Sequence, residues 1–203
     1  MSIKIIDLKR KDFNKARKFA IKGMNLSWYT TNAVELYFYS LYFWYDGISK
    51  ATRALGAYKD DELVGVLLVN MKGEQKYYSS LWSKLFLKLT SSIINQNYES
   101  RGSEYDHVNM KMLEELKRTE QVDGELNFFA VNPEIKGQGI GTKLLKELEK
   151  LESGKKIYLY SDSGSTYQFY MHRGFLEKGR ENIKVEVAKE EVPLTCFLFS
   201  KTL

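Results

Sequence analysis

The chain has 203 residues with 43% apolar content, long enough and apolar enough for one sizeable core. Its formal charge of +5 is mild, its two prolines leave no linker, and no stretch is apolar for long enough to span a bilayer. These features exclude a disordered or fibrous chain and an integral helical membrane protein, and a charge spread without a stripe argues against nucleic acid as a partner. With no hydrophobic leader region near the amino terminus, cytoplasmic residence is the expectation. A single cysteine, Cys196, cannot close an intramolecular disulfide or seed a metal cluster, so no metal is expected.

In chain order, Ile3 to Ile6 predicts a short strand. Asp12 then precedes a helix on which Phe13, Ala16, Ala20 and Met24 share a face. Asn32 and Glu35 are spaced as a helix cap, opening a helix from Ala33 to Tyr45 that is aromatic nearly all round and that Gly47 is expected to end. Leu55 to Tyr58 and Leu63 to Val69 predict a hairpin across Lys59 to Glu62. Residues 74–123 then read as an insertion of two helices, one carrying Leu81, Trp82, Leu85, Phe86 and Leu89, the other Val108, Met112 and Leu116. The polar, glycine-bearing stretch Gln96 to Asp106 reads as the loop between them. Long insertions in enzymes are often functional, so a substrate lid is favoured over extra packing.

Leu126 to Val131 is a nearly continuous apolar run, as expected of a central strand covered on both faces, and Pro133 stops it. Gly137, Gly139 and Gly141 follow and open into a helix with Leu144, Leu145, Leu148 and Leu151 on one face, ended by Ser153 and Gly154. Glycines there let the backbone turn sharply and approach a ligand closely. The unpaired amides and dipole of the helix start favour a phosphate or pyrophosphate. The spacing is neither a Walker A loop, because Lys143 comes one place too late, nor a GxGxxG fingerprint.

Lys136 to Gly141 resembles motif A of the GNAT N-acetyltransferases, Q/R-x-x-G-x-G/A, which clasps the pyrophosphate of acetyl-CoA. Lys136 replaces the usual Gln or Arg and keeps a positive charge. After a strand from Lys156 to Ser161, residues Ser163 to Phe175 resemble motif B, N-x-x-A-x-x-F-Y-x-x-x-G-F. Phe169, Tyr170, Gly174 and Phe175 match in register, whereas Ser163 and Thr166 stand where Asn and Ala are common. Together the motifs cover residues 125–175.

The resemblance implies a single α/β (α+β) domain over residues 1–203, with a mixed, mostly antiparallel sheet flanked by helices and the helical insertion between its third and fourth strands. It implies transfer of an acetyl group from acetyl-CoA, as co-substrate, to a primary amine by direct attack. Phe129, Ala130, Val131, Lys136, Gly137, Gln138, Gly139, Ile140, Gly141, Thr142, Ser163, Tyr167 and Tyr170 are then expected to bind the cofactor. Tyr170 is the expected acid for the departing thiolate, since a phenol of pKa about 10 keeps its proton at neutral pH. Glu125, at the start of the central strand, is the expected base, with a water chain as the alternative that other family members use. A backbone amide near Val131, where the family's fourth strand bulges, would hold the oxyanion. A covalent route through Cys196 lacks a recognisable histidine partner, and His107 and His172 read as surface residues.

The resemblance implies a small-molecule or peptide amine as the acceptor. Aromatics of the second helix and the insertion would suit a partly apolar amine, and Asp60, Asp61, Glu114 and Glu115 could attract a polyamine or aminoglycoside. Two other classes stay open: a non-catalytic acyl-CoA sensor or interaction module, and a nucleotide- or phosphate-binding protein using the same glycine turn. A homodimer is compatible with the family but marked by no residue.

Overall fold

The computed structural model describes residues 2–135, 137–187 and 190–203, with the backbone alone for Tyr29, 91–103 and Glu186. The elements run β1 (Ile3–Asp7), α1 (Phe13–Gly23), α2 (Ala33–Lys50), β2 (Arg53–Lys59), β3 (Glu62–Met71), α3 (Leu81–Thr119), β4 (Gly124–Val131), α4 (Ile140–Leu151), β5 (Lys156–Asp162), α5 (Gln168–Met171), β6 (Leu176–Val187) and β7 (Glu190–Thr202). The seven strands form one sheet in the order β1-β2-β3-β4-β5-β7-β6. Every neighbouring pair is antiparallel except β4 and β5. This is the expected mixed, mostly antiparallel sheet with helices on both faces. Among the described residues no helix is long and apolar enough to cross a membrane.

The alternation of each strand sorts side chains into two layers. One face carries α4: Leu144, Leu145 and Leu148 pack on Leu55, Leu67, Val69, Leu126, Ile157, Leu159 and Phe199. The other face carries α1 and α2 over β2 to β4, with Trp44, Ile48 and Phe128 at its centre, and α3 over β5 to β7 through Met112 and Leu116. Fully burying a leucine contributes about 1.5–3 kcal/mol, so the helical spacing of the α4 leucines is what seats the glycine turn against the sheet.

Three expectations are corrected. First, Gly47 does not end α2, which continues to Lys50. Gly47 is buried, and its carbonyl accepts hydrogen bonds from Ala51 N–H and the Asn127 amide, so the chain stays helical where packing holds it. Second, the expected loop at Gln96–Asp106 is helix, and residues 81–119 form one 39-residue helix rather than two. The stretch lacks proline, and one glycine in a helix costs only about 1 kcal/mol against alanine, so polarity and a single glycine do not break it. Third, the β4 bulge is not near Val131. Leu68 pairs with Phe128 and Val69 with Leu126, which leaves Asn127 as the extra residue.

The bulge has a consequence for the site. Leu126 and Phe128 would share a face in a regular strand, yet Leu126 packs in the α4 layer and Phe128 in the α2 layer. Glu125 and Asn127, two places apart, both point to the α2 and α3 side, as their partners Tyr158 and Gly47 show, and the bulge brings Phe128 to that side with them. Beside the bulge, β4 and β5 pair only through Gly124 with Ile157 and Glu125 with Tyr158. Beyond these two residues the parallel strands part, opening a wedge between Leu126–Val131 and Leu159–Asp162.

Candidate active site

The glycine turn closes one mouth of the wedge. Gly137 and Gly139 have φ of +73° and +64°, and the space beside each where a Cβ would sit is open for 4 Å. Gly139 is the N-cap of α4 and offers no side chain to its first amides, so those of Ile140, Gly141 and Thr142 precede the first intrahelical bond. The cradle is one that side chains would fill, and its donors suit an anion. Lys136 lies outside the described residues. Gln138 accepts a hydrogen bond from Lys59 Nζ at 3.2 Å.

Gly141 has a different task. A Cβ there would come within 3.0 Å of Phe169 and 3.3 Å of Phe129, so its absence lets α4 sit down on those rings. Phe129 and Phe169 meet edge to face at 5.5 Å, and Tyr170 leans on Phe129, Phe175 and Phe199. Burial in this nest pushes the Tyr170 phenol above its ordinary value. Its hydroxyl takes no hydrogen-bond partner among the described residues. Tyr167 stacks on Phe197 at 4.5 Å. Ala130 turns away from these rings into the α2 layer, while Val131 packs in the α4 layer. Ser163 Oγ is engaged by Thr195 N–H at 3.0 Å and stitches the end of β5 to β7.

Arg173 is a site residue the sequence reading did not single out. Its Nε and one terminal nitrogen donate to Thr142 Oγ1 at 3.1 and 2.7 Å, and its guanidinium lies over the Phe169 ring at 4.5 Å. A cation thus stands at the start of α4 beside the open glycines. An Arg three places after the motif tyrosine was the available signal.

Glu125 approaches the wedge from the opposite face. Its carboxylate accepts from Tyr158 OH at 3.3 Å. Burial raises its pKa; the Tyr158 bond and the Lys50 and Lys117 charges only moderate this, and Asp46 adds to it. Tyr158 and Tyr160, centroids 5.6 Å apart, wall this side, and the Glu125 charge reaches both. They alternate along β5 with Ile157 and Leu159, which face α4. Cys196 is buried, its thiol pushed up to about 12 chiefly by burial, and His107 and His172 are exposed. Asp60, Asp61, Glu114 and Glu115 are all exposed, the first two in the β2–β3 turn and the others on the outer side of α3.

A model of the acetyltransferase (GNAT) family matches residues 22–175, more than half of the chain. The chain belongs to that family. It is therefore an acyl-CoA-dependent acetyltransferase of the GNAT type. No curated protein matches it. Among solved structures, a histone acetyltransferase HPA2 and related acetyltransferase from Corynebacterium glutamicum is 15% identical, with TM-score 0.56 and coverage of 98% of this chain and 96% of the other. Arabidopsis thaliana NAA60, solved with a bisubstrate analogue, is 12% identical with TM-score 0.56, covering 98% and 97%. The Drosophila melanogaster polyamine N-acetyltransferase is 12% identical with TM-score 0.52, covering 100% of both chains. At these identities the likeness is one of fold.

Proposed function

We propose that the protein acetylates a primary amine by direct attack of the amine on acetyl-CoA bound in the β4–β5 wedge. The observation that carries this reading is the placement of Glu125 and Tyr170 on opposite faces of that wedge. An amine arriving from the α2 and α3 side meets Glu125, while a thiolate leaving towards α4 and α5 meets Tyr170.

The open cradle of Gly137 and Gly139, the first amides of α4 and Arg173 would hold the pyrophosphate, and Phe129, Val131 and Tyr167 would line the wedge beneath it. When bound, acetyl-CoA supplies an activated acyl group on a thioester. The acceptor ammonium first releases one proton to water. Glu125 then takes a second proton from the amine as its nitrogen bonds to the carbonyl carbon. A carboxylate with raised pKa is a stronger base at neutral pH than an exposed one. The parted edge of β4, whose amides lack β5 partners beyond Glu125, faces the charge developing on the carbonyl oxygen.

The carbon–sulfur bond breaks, and Tyr170 donates to the departing sulfur. Ordinary values of about 10 for a phenol and about 8.5 for a thiol leave about 2 kcal/mol against this transfer. The apolar nest that raises the phenol raises a thiol as well, so the gap does not widen in proportion. A covalent route is disfavoured, because a thiol held near 12 gives Cys196 almost no thiolate at neutral pH. The products are an N-acetyl amine and free CoA. We read residues 1–203 as one domain in which α3 walls the acceptor side. The test is purified protein with acetyl-CoA and an amine panel, following free thiol and the acetylated amine together. Thiol release matched by amide formation supports the reading, and thiol release without amide contradicts it.

A further inference from the structure

Asn127 carries a polar atom that the fold leaves unanswered. It is the extra residue of the β4 bulge, and its amide nitrogen donates to Gly47 O of α2 at 3.0 Å. That bond fixes which end of the carboxamide is which, and the Oδ1 end is buried with no hydrogen-bond partner among the described residues. Buried acceptors are nearly always paired, so one that is not calls for an explanation. Support of α2 does not provide it, because Ala51 N–H already bonds Gly47 O at 3.1 Å.

The position of this oxygen does. Pairing of β4 with β5 ends at Glu125, so Asn127 stands on the stretch of β4 that walls the wedge. It faces the α2 and α3 side together with Glu125, two places before it. One Glu125 carboxylate oxygen accepts from Tyr158 OH at 3.3 Å, and the other takes no partner among the described residues. Residues two apart on one face of a strand sit roughly 6–7 Å apart. Two hydrogen bonds of about 2.9 Å from a single nitrogen cover most of that gap. The wall of the wedge therefore offers one nitrogen two acceptors, a carboxylate and a neutral amide oxygen.

A neutral primary amine has two N–H groups and a lone pair. We propose that Asn127 is the residue that selects primary amines, its Oδ1 accepting one N–H while Glu125 accepts the other and the lone pair is left to face the thioester carbonyl. As the nitrogen–carbon bond forms, the proton held by Glu125 passes to the carboxylate. The N–H held by Asn127 stays on nitrogen and becomes the N–H of the product amide. A secondary amine has a single N–H, which Glu125 takes, so its second alkyl group meets the Asn127 oxygen and leaves it unpaired from binding to product. A site built to hydrogen-bond a substrate N–H rejects the analogue that lacks it. The proposal rests on the acetyl-transfer reading above and names the group that sets its acceptor class.

The test measures kcat/KM at fixed acetyl-CoA for n-butylamine, 2-phenylethylamine and the amino terminus of a short peptide, each beside its N-methyl counterpart. The native enzyme should prefer the primary member of each acetylated pair at least tenfold. Asn127→Leu keeps the bulk and removes the acceptor, so it should lower kcat/KM for the primary amine about tenfold, leave the N-methyl amine nearly unchanged and shrink the preference by the same factor. Asn127→Asp should keep most of the preference, since a carboxyl oxygen remains to accept. The acid limb set by Glu125 should hold its place in both variants, which a disrupted β4 would not allow. A native enzyme indifferent to N-methylation, or a preference that survives Asn127→Leu, would overturn the proposal, while acetyl transfer to any of these amines leaves the parent reading intact. Failure of every amine to be acetylated would remove both.

Discussion

Replacing Glu125 by glutamine removes a proton acceptor and little else. The glutamine oxygen can still accept from Tyr158 OH, which lies 3.3 Å from the carboxylate, and the side-chain volume is kept. In the native protein, burial raises the Glu125 carboxyl above its ordinary 4.5, against the lowering influences of Tyr158, Lys50 and Lys117. A base must be ionised to act, so below that raised value kcat/KM should show an acid limb of about tenfold per pH unit, added to the slope that deprotonation of the acceptor ammonium imposes throughout. General-base catalysis contributes about 10² to 10⁴ in rate, and Glu125→Gln should cost that much and abolish the acid limb. Lys50→Gln should move the limb to higher pH, because it deletes the largest charge favouring the ionised form and also frees Asp46. The assay is initial rate against pH by thiol release, with isothermal titration of acetyl-CoA to show that the first site is intact. A Glu125→Gln enzyme with native rate and native acid limb would refute the assignment.

Tyr170→Phe should lower kcat by about 10² to 10⁴ with acetyl-CoA affinity little changed, since the ring packing survives and only the donor is lost; unaltered kcat removes Tyr170 from the chemistry. Gly139→Ala places a side chain at φ +64° and into the open cradle. The backbone cost is about 1–2 kcal/mol, so acetyl-CoA titration should show affinity reduced tenfold or more, and undiminished affinity would place the anion elsewhere. Glu152 is 1% exposed and bonded by Arg53 and Lys155 at 2.6 Å each. Burial alone would raise its pKa, but the Lys155 and Arg53 bonds outweigh it and lower the value. A lowered folded-state pKa stabilises above the unfolded value, and the gain is lost as pH falls through the folded one. Glu152→Gln should therefore cost about 1–3 kcal/mol at neutral pH in urea unfolding, with the deficit shrinking in acid. A deficit constant across pH would contradict the pairing.

Much of the sheet was legible because its strands carry their own signals. The run Leu126–Val131 and the glycine turn before Leu144, Leu145 and Leu148 encode strand, turn and helix locally. The Asn32 cap likewise forms as its spacing predicts, with Glu35 N–H donating to Asn32 Oδ1 at 2.9 Å. What local pattern could not carry was set by neighbours. Gly47 looks like a helix end until Asn127 and Ala51 bond its carbonyl. Gly102 and its polar surroundings look like a loop until α3 is seen packing on β6 and β7 at its far end.

The same holds for the site. Glu125, Tyr170 and the glycines stood out by motif, whereas Tyr158, Tyr160 and Arg173 did not. Tyr158 and Tyr160 reach Glu125 only because β5 pairs parallel beside it. The bulge is the clearest case. No residue in LNFF announces it, yet placing it at Asn127 rather than Val131 turns Phe128 to the face of Glu125 and Asn127, away from Leu126, just where the pairing of β4 with β5 stops.

The most direct test of the central claim is to incubate the protein with acetyl-CoA carrying a heavy-isotope acetyl group and an amine acceptor, then weigh both amine and protein. Direct attack predicts that every free CoA thiol is matched by a labelled N-acetyl amine while the intact protein, Cys196 included, gains no mass. Label retained on the protein, or thiol released with no labelled amine, would contradict it.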